Sequence, residues 1–389
     1  MEQRLYTVNF WLLCASSLLF SASFNMLIPE LPAYLSSMGG AEYKGLIIAL
    51  FTLTAGISRP FSGKLTDTIG RVPVMAVGST VCLLCGFLYP VLSSVSGFLF
   101  LRLLHGFSTG FKPTATAAYV ADIAPSSRWG EALGIHGLFF STGMAIGPAI
   151  GSAITASYSI HILFYCSSFL AFLSIGILLN LKETLARKQP FSLQAVKITK
   201  SDIIDVQVLP AACVTLLSYF AYGSILTLIP DWSEHIGLKN KGLFFMVFTI
   251  SSLLIRFVAG KTSDRYGRVS VIKVGLLILI LSLLIIGLFQ TVNGLLLGSM
   301  IYGVATGLLS PATNAWTVDL SNPAQRGKAM ATMYIALEAG IGLGALFSGW
   351  LYQDQLSMIP SLLFIAAAIA GIALFYLFIS KKKRQTIRE

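Results

Sequence analysis

The chain has 389 residues, 55% of them hydrophobic and 11% charged, with a formal net charge of +11. A water-soluble domain carries about 25% charged residues, so a chain this poor in charge cannot cover a water-facing surface, and a soluble globular protein is excluded. The apolar residues fall in long runs such as 274–288 and 359–379, which suit a hydrocarbon core about 30 Å thick and must be helical because lipid offers no partner to open backbone groups; the short alternating segments of a β-barrel are not visible.

Twelve membrane helices are predicted. In the first half they lie near 7–32, 44–62, 73–92, 97–121, 131–154 and 160–181. The first is too long for a signal peptide, and Pro29-Glu-Leu-Pro32 at its end is no cleavage site. The second leads into Gly63-Lys-Leu-Thr-Asp67-Thr-Ile-Gly70-Arg71. The third holds Cys82 and Cys85, a spacing with no second ligand pair, so Cys14, Cys82, Cys85, Cys166 and Cys213 read as buried free thiols and no metal or cofactor is expected. The fourth carries Arg102, His105, Gly106 and Lys112, and the fifth carries Gly134, Gly143, Gly147, Pro148 and Gly151. The polar stretch 182–205 reads as a linker between residues 1–181 and 206–389. The second half then repeats the plan near 206–230, 242–259, 270–289, 293–318, 328–351 and 357–380.

With the N-terminus inside, Arg4, Lys64, Arg71, Arg128, Arg187, Lys197, Lys200, Arg265, Arg268, Lys328 and the Lys381–Arg384 run all fall on one side, while the opposite loops hold only Lys44, Lys239 and Lys241. The positive-inside rule therefore puts both termini in the cytoplasm. The net charge is an orientation signal, and no nucleic-acid partner is implied.

Residues 59–74 and 256–271 match at eight of sixteen positions at an offset of 197, and the same offset pairs Gly110 with Gly307, Asp122 with Asp319, Gly143 with Gly340 and Gly147 with Gly344. The chain is thus read as a duplicated six-helix unit. An even number of helices per copy gives both copies one orientation in the membrane.

The loop Gly63, Asp67, Gly70, Arg71 and its second copy Gly260, Asp264, Gly267, Arg268 resemble the cytoplasmic signature of the major facilitator superfamily. The resemblance covers the whole chain and implies an all-α membrane protein of two pseudo-symmetric six-helix bundles. It also implies that the loop is a gate latch, with Asp67 facing Arg71, Arg128 or the N-terminus of a helix in the other half. The helix 5 pattern of Gly134, Gly143, Gly147, Pro148 and Gly151 resembles the motif of the twelve-helix drug/proton antiporters, although Ser152 stands where that motif usually ends in glycine. Pro29 and Pro32, and Arg102 with Gly106, echo the same group.

Charge inside a membrane helix is costly and marks a functional candidate. Glu338, about 15 Å into helix 11 at 1.5 Å per residue, is placed to exchange a proton or to form a structural pair with Lys112 or Arg102. Glu30, Asp231 and His105 are further proton candidates; the two carboxylates lie at outer helix ends where they can also be interfacial and solvated, and a helix-facing histidine is often merely satisfied. Lys112, Arg102, Asn25 and Asn314 are candidates for substrate contact. No Walker loop or nucleotide signature is present, and no catalytic constellation accompanies Glu338, so an enzyme is not expected. The expectation is a monomeric proton-coupled exporter of small drug-like or amphipathic metabolites in a bacterial cytoplasmic membrane, in contact with lipids, protons and a small-molecule substrate. A nutrient symporter or facilitator, and a lipid flippase on the same fold, are the alternatives.

Overall fold

The structure is a computed structural model that describes residues 6–125, 128–185, 188–191, 204–322 and 326–386. Arg4, Arg187, Lys197, Lys200 and Arg388 lie outside the described residues, as does most of the linker. The described chain is helical: α1 Val8–Asn25, α2 Leu31–Ser37, α3 Lys44–Thr68, α4 Arg71–Leu88, α5 Val95–Ile123, α6 Trp129–Ser157, α7 Ile160–Leu178, α8 Leu209–His235, α9 Gly242–Tyr266, α10 Arg268–Leu288, α11 Val292–Leu320, α12 Arg326–Tyr352 and α13 Ile359–Thr386.

Among the described residues, ten helices are long and apolar enough to cross a membrane. α5 has the length but carries Arg102, His105, Lys112 and Asp122, and in α9 the apolar stretch is the shorter Gly242–Arg256. The first predicted helix is corrected in one respect. It is not continuous to residue 32: α1 stops at Asn25, residues 26–30 form turns, and α2 restarts with Pro32 in its first turn, because a proline cannot donate to the preceding turn.

The chain divides into two compact units, one of residues 1–40 and 50–200, the other of residues 41–49 and 201–389. In the first unit α1 packs on α6 and α7, and α4 on α5 and α7; in the second, α8 packs on α12 and α13, and α10 on α11 and α13. The two units therefore use one plan. α5 and α11 differ by 197 at both ends.

Close packing in both units is set by glycine. A Cβ added at Gly143 would meet the Leu18 carbonyl oxygen at 2.5 Å, at Gly147 the Ala22 oxygen at 2.9 Å, and at Gly151 the Met26 carbonyl carbon at 2.8 Å. The α6 ridge thus lies directly on the α1 backbone. Gly340 and Gly344 of α12 lie in the same way on the Leu216 and Phe220 carbonyls of α8. Without a hydrophobic drive between helices in lipid, such backbone approach is what holds them together. Large apolar residues face outward, among them Leu53, Phe87, Phe169, Leu277 and Phe375, as a lipid-contacting surface requires. Cys14, Cys82 and Cys85 are buried free thiols, but Cys166 is only half-buried and Cys213 is exposed, so burial of all five cysteines does not hold; the side of α8 that bears Cys213 is open.

Candidate functional site

The two signature loops have the same internal geometry. Arg71 donates to Asp67 (Nη1···Oδ1 3.0 Å), to the Thr66 carbonyl (2.6 Å) and to Asp122 (Nε···Oδ2 3.0 Å). In the second unit Arg268 donates to Asp264, to Ser263 Oγ (3.2 Å) and to Asp319 (3.2 Å). Asp67 therefore pairs with Arg71, whereas Arg128 turns to Glu131 at 2.6 Å. Gly70 and Gly267 both have positive φ, 133° and 87°, the left-handed region that favours glycine. Gly63 has open space around it, and Gly260 lies within α9.

Three partners at these loops were not expected from the sequence. Asp122 and Asp319 complete the arginine pairs, and their match in the repeat was the available signal. Glu183 had none. Its carboxylate accepts the Arg71 and Val72 amides at 3.0 and 3.1 Å and so caps α4, while also accepting the Thr184 and Leu185 amides. Burial pushes the Glu183 carboxyl up, but the four backbone donors outweigh it and hold the group below the ordinary carboxylate range.

Glu338 is 8% exposed in α12. Tyr219 and Tyr222 of α8 are close enough to feel its charge, and Tyr219 in turn bonds Ser310. Asn314 is half-buried on the same α11 as Ser310. Asn25 is buried and donates to the Ser21 carbonyl at 2.8 Å.

Neither Glu30 nor Asp231 is solvated. Glu30, 6% exposed, accepts from Ser152 Oγ at 2.6 Å, so the serine that departs from the usual glycine holds a buried carboxylate. Asp231 pairs with Lys44 at 2.6 Å and accepts from Tyr352 at 2.9 Å, and Lys44 also pairs with Asp354. Lys44 is accordingly buried rather than a loop residue. Gln353 and Asp354 carry positive φ of 43° and 61° in the turn that presents Asp354.

In the first unit Arg102, His105 and Lys112 all face into the bundle. Arg102 approaches Tyr89 Oη (3.4 Å) and lies over the Phe51 ring at 4.6 Å. Tyr89 Oη and His105 Nδ1 are 3.1 Å apart, and His105 Nε2 is 3.2 Å from Cys82 Sγ. Lys112 Nζ donates to the Ser16 carbonyl (3.1 Å), Ser16 Oγ (2.9 Å) and Ser174 Oγ. Among the described residues of its own unit, Lys112 makes no pair with a carboxylate; these three oxygens are its hydrogen-bond partners.

The family model for the Major Facilitator Superfamily matches residues 13–239 and 211–389. The chain belongs to the Major Facilitator Superfamily. It is a multi-pass membrane transporter of a small-molecule substrate and not an enzyme. An uncharacterised superfamily transporter of Methanocaldococcus jannaschii is 25% identical over 83% of this chain and 86% of its own. The multi-drug resistance efflux pump PmrA homolog of Lactococcus lactis is 25% identical over 91% and 88%. Multidrug resistance protein MdtG of Citrobacter koseri is 28% identical over 79% and 78%. The resemblance to drug exporters seen in the helix 5 pattern thus extends over the chain. Among solved structures, a POT family transporter superposes with a TM-score of 0.83 at 13% identity over 98% of both chains, and human organic anion transporter MFSD10 with 0.73 at 19% identity over 95% of this chain and 98% of that one. These last two show the shared fold.

Proposed function

We propose that this transporter exports small drug-like or amphipathic molecules in exchange for protons. The observation that carries the direction is the α6 ridge of Gly143, Gly147 and Gly151 on the α1 backbone, the physical form of the motif through which the chain resembles antiporters. The names of its multidrug relatives favour the same reading. Glu338 carries the proton in α12, where it is buried and its charge is felt by Tyr219 and Tyr222 of α8. Glu30, Asp231 and His105 serve the same flow at other depths. The cycle is alternating access between states whose populations substrate and proton shift, and the Asp67–Arg71–Asp122 and Asp264–Arg268–Asp319 clusters act as its cytoplasmic latches.

The reading includes twelve crossings, with α1 and α2 counted as one, and both termini in the cytoplasm of a bacterial inner membrane. It also takes residues 1–181 and 206–389 as the two bundles joined by 182–205, and a lipid-embedded monomer as the working unit.

The test is transport in inverted membrane vesicles with an imposed pH gradient. Addition of an exported compound should dissipate the gradient. If no cationic, neutral or anionic amphiphile in a broad panel does so, while right-side-out vesicles take up a nutrient in a proton-dependent way, the export reading is wrong.

A further inference from the structure

The first bundle buries a lysine where the second bundle buries a leucine. A Cβ at Gly78 would meet the Lys112 amide nitrogen at 2.7 Å, and a Cβ at Gly275 would meet Leu309 Cγ at 2.8 Å. Gly78/Gly275 and Lys112/Leu309 share the repeat offset of 197, so the two side chains fill one structural position. The partners of Lys112 can be matched in the same way. The α6 ridge seats on Leu18 and Ala22, the α12 ridge on Leu216 and Phe220, which aligns Ser16 with Val214. The buried positions Leu163, Phe164 and Leu178 of α7 recur as Leu362, Leu363 and Leu377 in α13, which aligns Ser174 with Ala373.

Lys112, Ser16 and Ser174 are thus replaced together by Leu309, Val214 and Ala373, each of them at most 3% exposed. The fold builds this junction from apolar side chains in one copy, so packing does not require the lysine in the other. A cation there must shed its water and has only neutral oxygens and the Phe20 face, 4.6 Å from Nζ, in return. Structural use would supply a counter-ion, and none is present among the described residues.

We propose that Lys112 Nζ is a proton-exchange site of the transport cycle, caged by Ser16 and Ser174, inside the first bundle. The inference rests on the proton-coupled reading above and adds a carrier to it. The chemistry is one proton transfer: neutral Nζ gains a proton through its lone pair in one state and returns it in another, with the three oxygens accepting from whichever N–H bonds are present. His136 on α6 donates to or accepts from Ser17 Oγ at 2.8 Å, one residue along α1 from Ser16, and is half-buried. The titratable groups that feel the charge of Lys112 are Cys82 on α4 and His136 on α6. On α1 the nearest in sequence is Cys14, in the core, and α1 and α7 offer Nζ only serine oxygens. On α5 itself His105 and Arg102 lie about two and three turns away.

The test uses the full-length protein with two readouts. In detergent, with lysine labelled by carbon-13 at Cε, the resonance that Lys112→Leu removes belongs to Lys112. It is expected to move with pH within the range over which the transporter works, and a resonance fixed across that range overturns the proposal. In proteoliposomes with a pH difference of one unit, one-for-one exchange of a proton for the probe cation ethidium supports up to a tenfold concentration ratio. Lys112→Leu, which copies the second bundle, and Lys112→Arg, which stays charged at any working pH, are both expected to bring that ratio to about one. Wild-type accumulation in either variant overturns the proposal. Lys112→Met stands in if the leucine variant does not fold. If the wild type accumulates neither ethidium nor tetraphenylphosphonium, the export reading fails on its own, and the resonance alone decides Lys112.

Discussion

The glycine ridge gives the most direct quantitative prediction, because the resemblance to antiporters treats Gly134, Gly143, Gly147 and Gly151 alike and the structure does not. A Cβ at Gly134 meets nothing within 4 Å, whereas one at Gly151 would come 2.8 Å from the Met26 carbonyl carbon and closer still to its oxygen. Carbon atoms pack at about 3.5 Å or more, so Gly151→Ala requires α1 and α6 to part by at least ~0.7 Å there. The obstacle is helix backbone and cannot rotate aside. Overpacking of this kind costs about 1–3 kcal/mol. Gly134→Ala meets no such obstacle and replaces a poor helix former, for a gain of up to ~1 kcal/mol. The assay is unfolding of the purified protein in mixed micelles, followed by tryptophan fluorescence, with transport measured on the same variants. Both substitutions gain the same helix propensity, so Gly151→Ala should be less stable than Gly134→Ala by the overpacking alone, about 1–3 kcal/mol. Equal stability of the two would refute the view that α6 is seated on the α1 backbone.

Three further outcomes follow from the sites. Glu338→Gln is expected to abolish proton-driven transport while leaving the fold intact, since glutamine keeps the shape and cannot titrate; a wild-type pH profile in that variant would remove Glu338 as carrier. Glu183→Gln should cost about 1–2 kcal/mol at neutral pH by weakening the α4 cap. Because the folded Glu183 carboxyl lies below its ordinary range, its contribution is complete above the unfolded value and disappears as pH falls through the folded one. The gap between wild type and Glu183→Gln should therefore close in acid, and a gap that is constant with pH would contradict the charged cap. Asp67→Asn should increase cysteine labelling from the cytoplasmic face, as Arg71 loses one of its two carboxylates; unchanged labelling would count against the latch.

Much of this was legible along the chain. The apolar runs, the repeat and both arginine loops can be read from sequence because each is local: a membrane span needs only its own composition, and Arg71 reaches Asp67 four residues back, across the turn between α3 and α4. Asp122 and Asp319 were visible only as a repeat match, because their arginines lie far away in sequence. Glu183 was invisible, since a carboxylate in a polar linker looks the same whether or not it caps a distant helix.

What the sequence alone determined is therefore the class, the duplication and the pool of costly charges, all of which are set by solvent and spacing. Tertiary structure decided what each charge meets. Glu30 and Asp231 can be solvated by their position, yet folding buries them against Ser152 and Lys44. Lys112 and Leu309 are one position in the repeat, but only the neighbours brought by α1 and α7 show that one copy is built around an ammonium and the other around a methyl cluster. The reason is physical. Transfer into lipid penalises a charge by its own identity, while the compensation comes from atoms that only the folded chain brings within 3 Å or so.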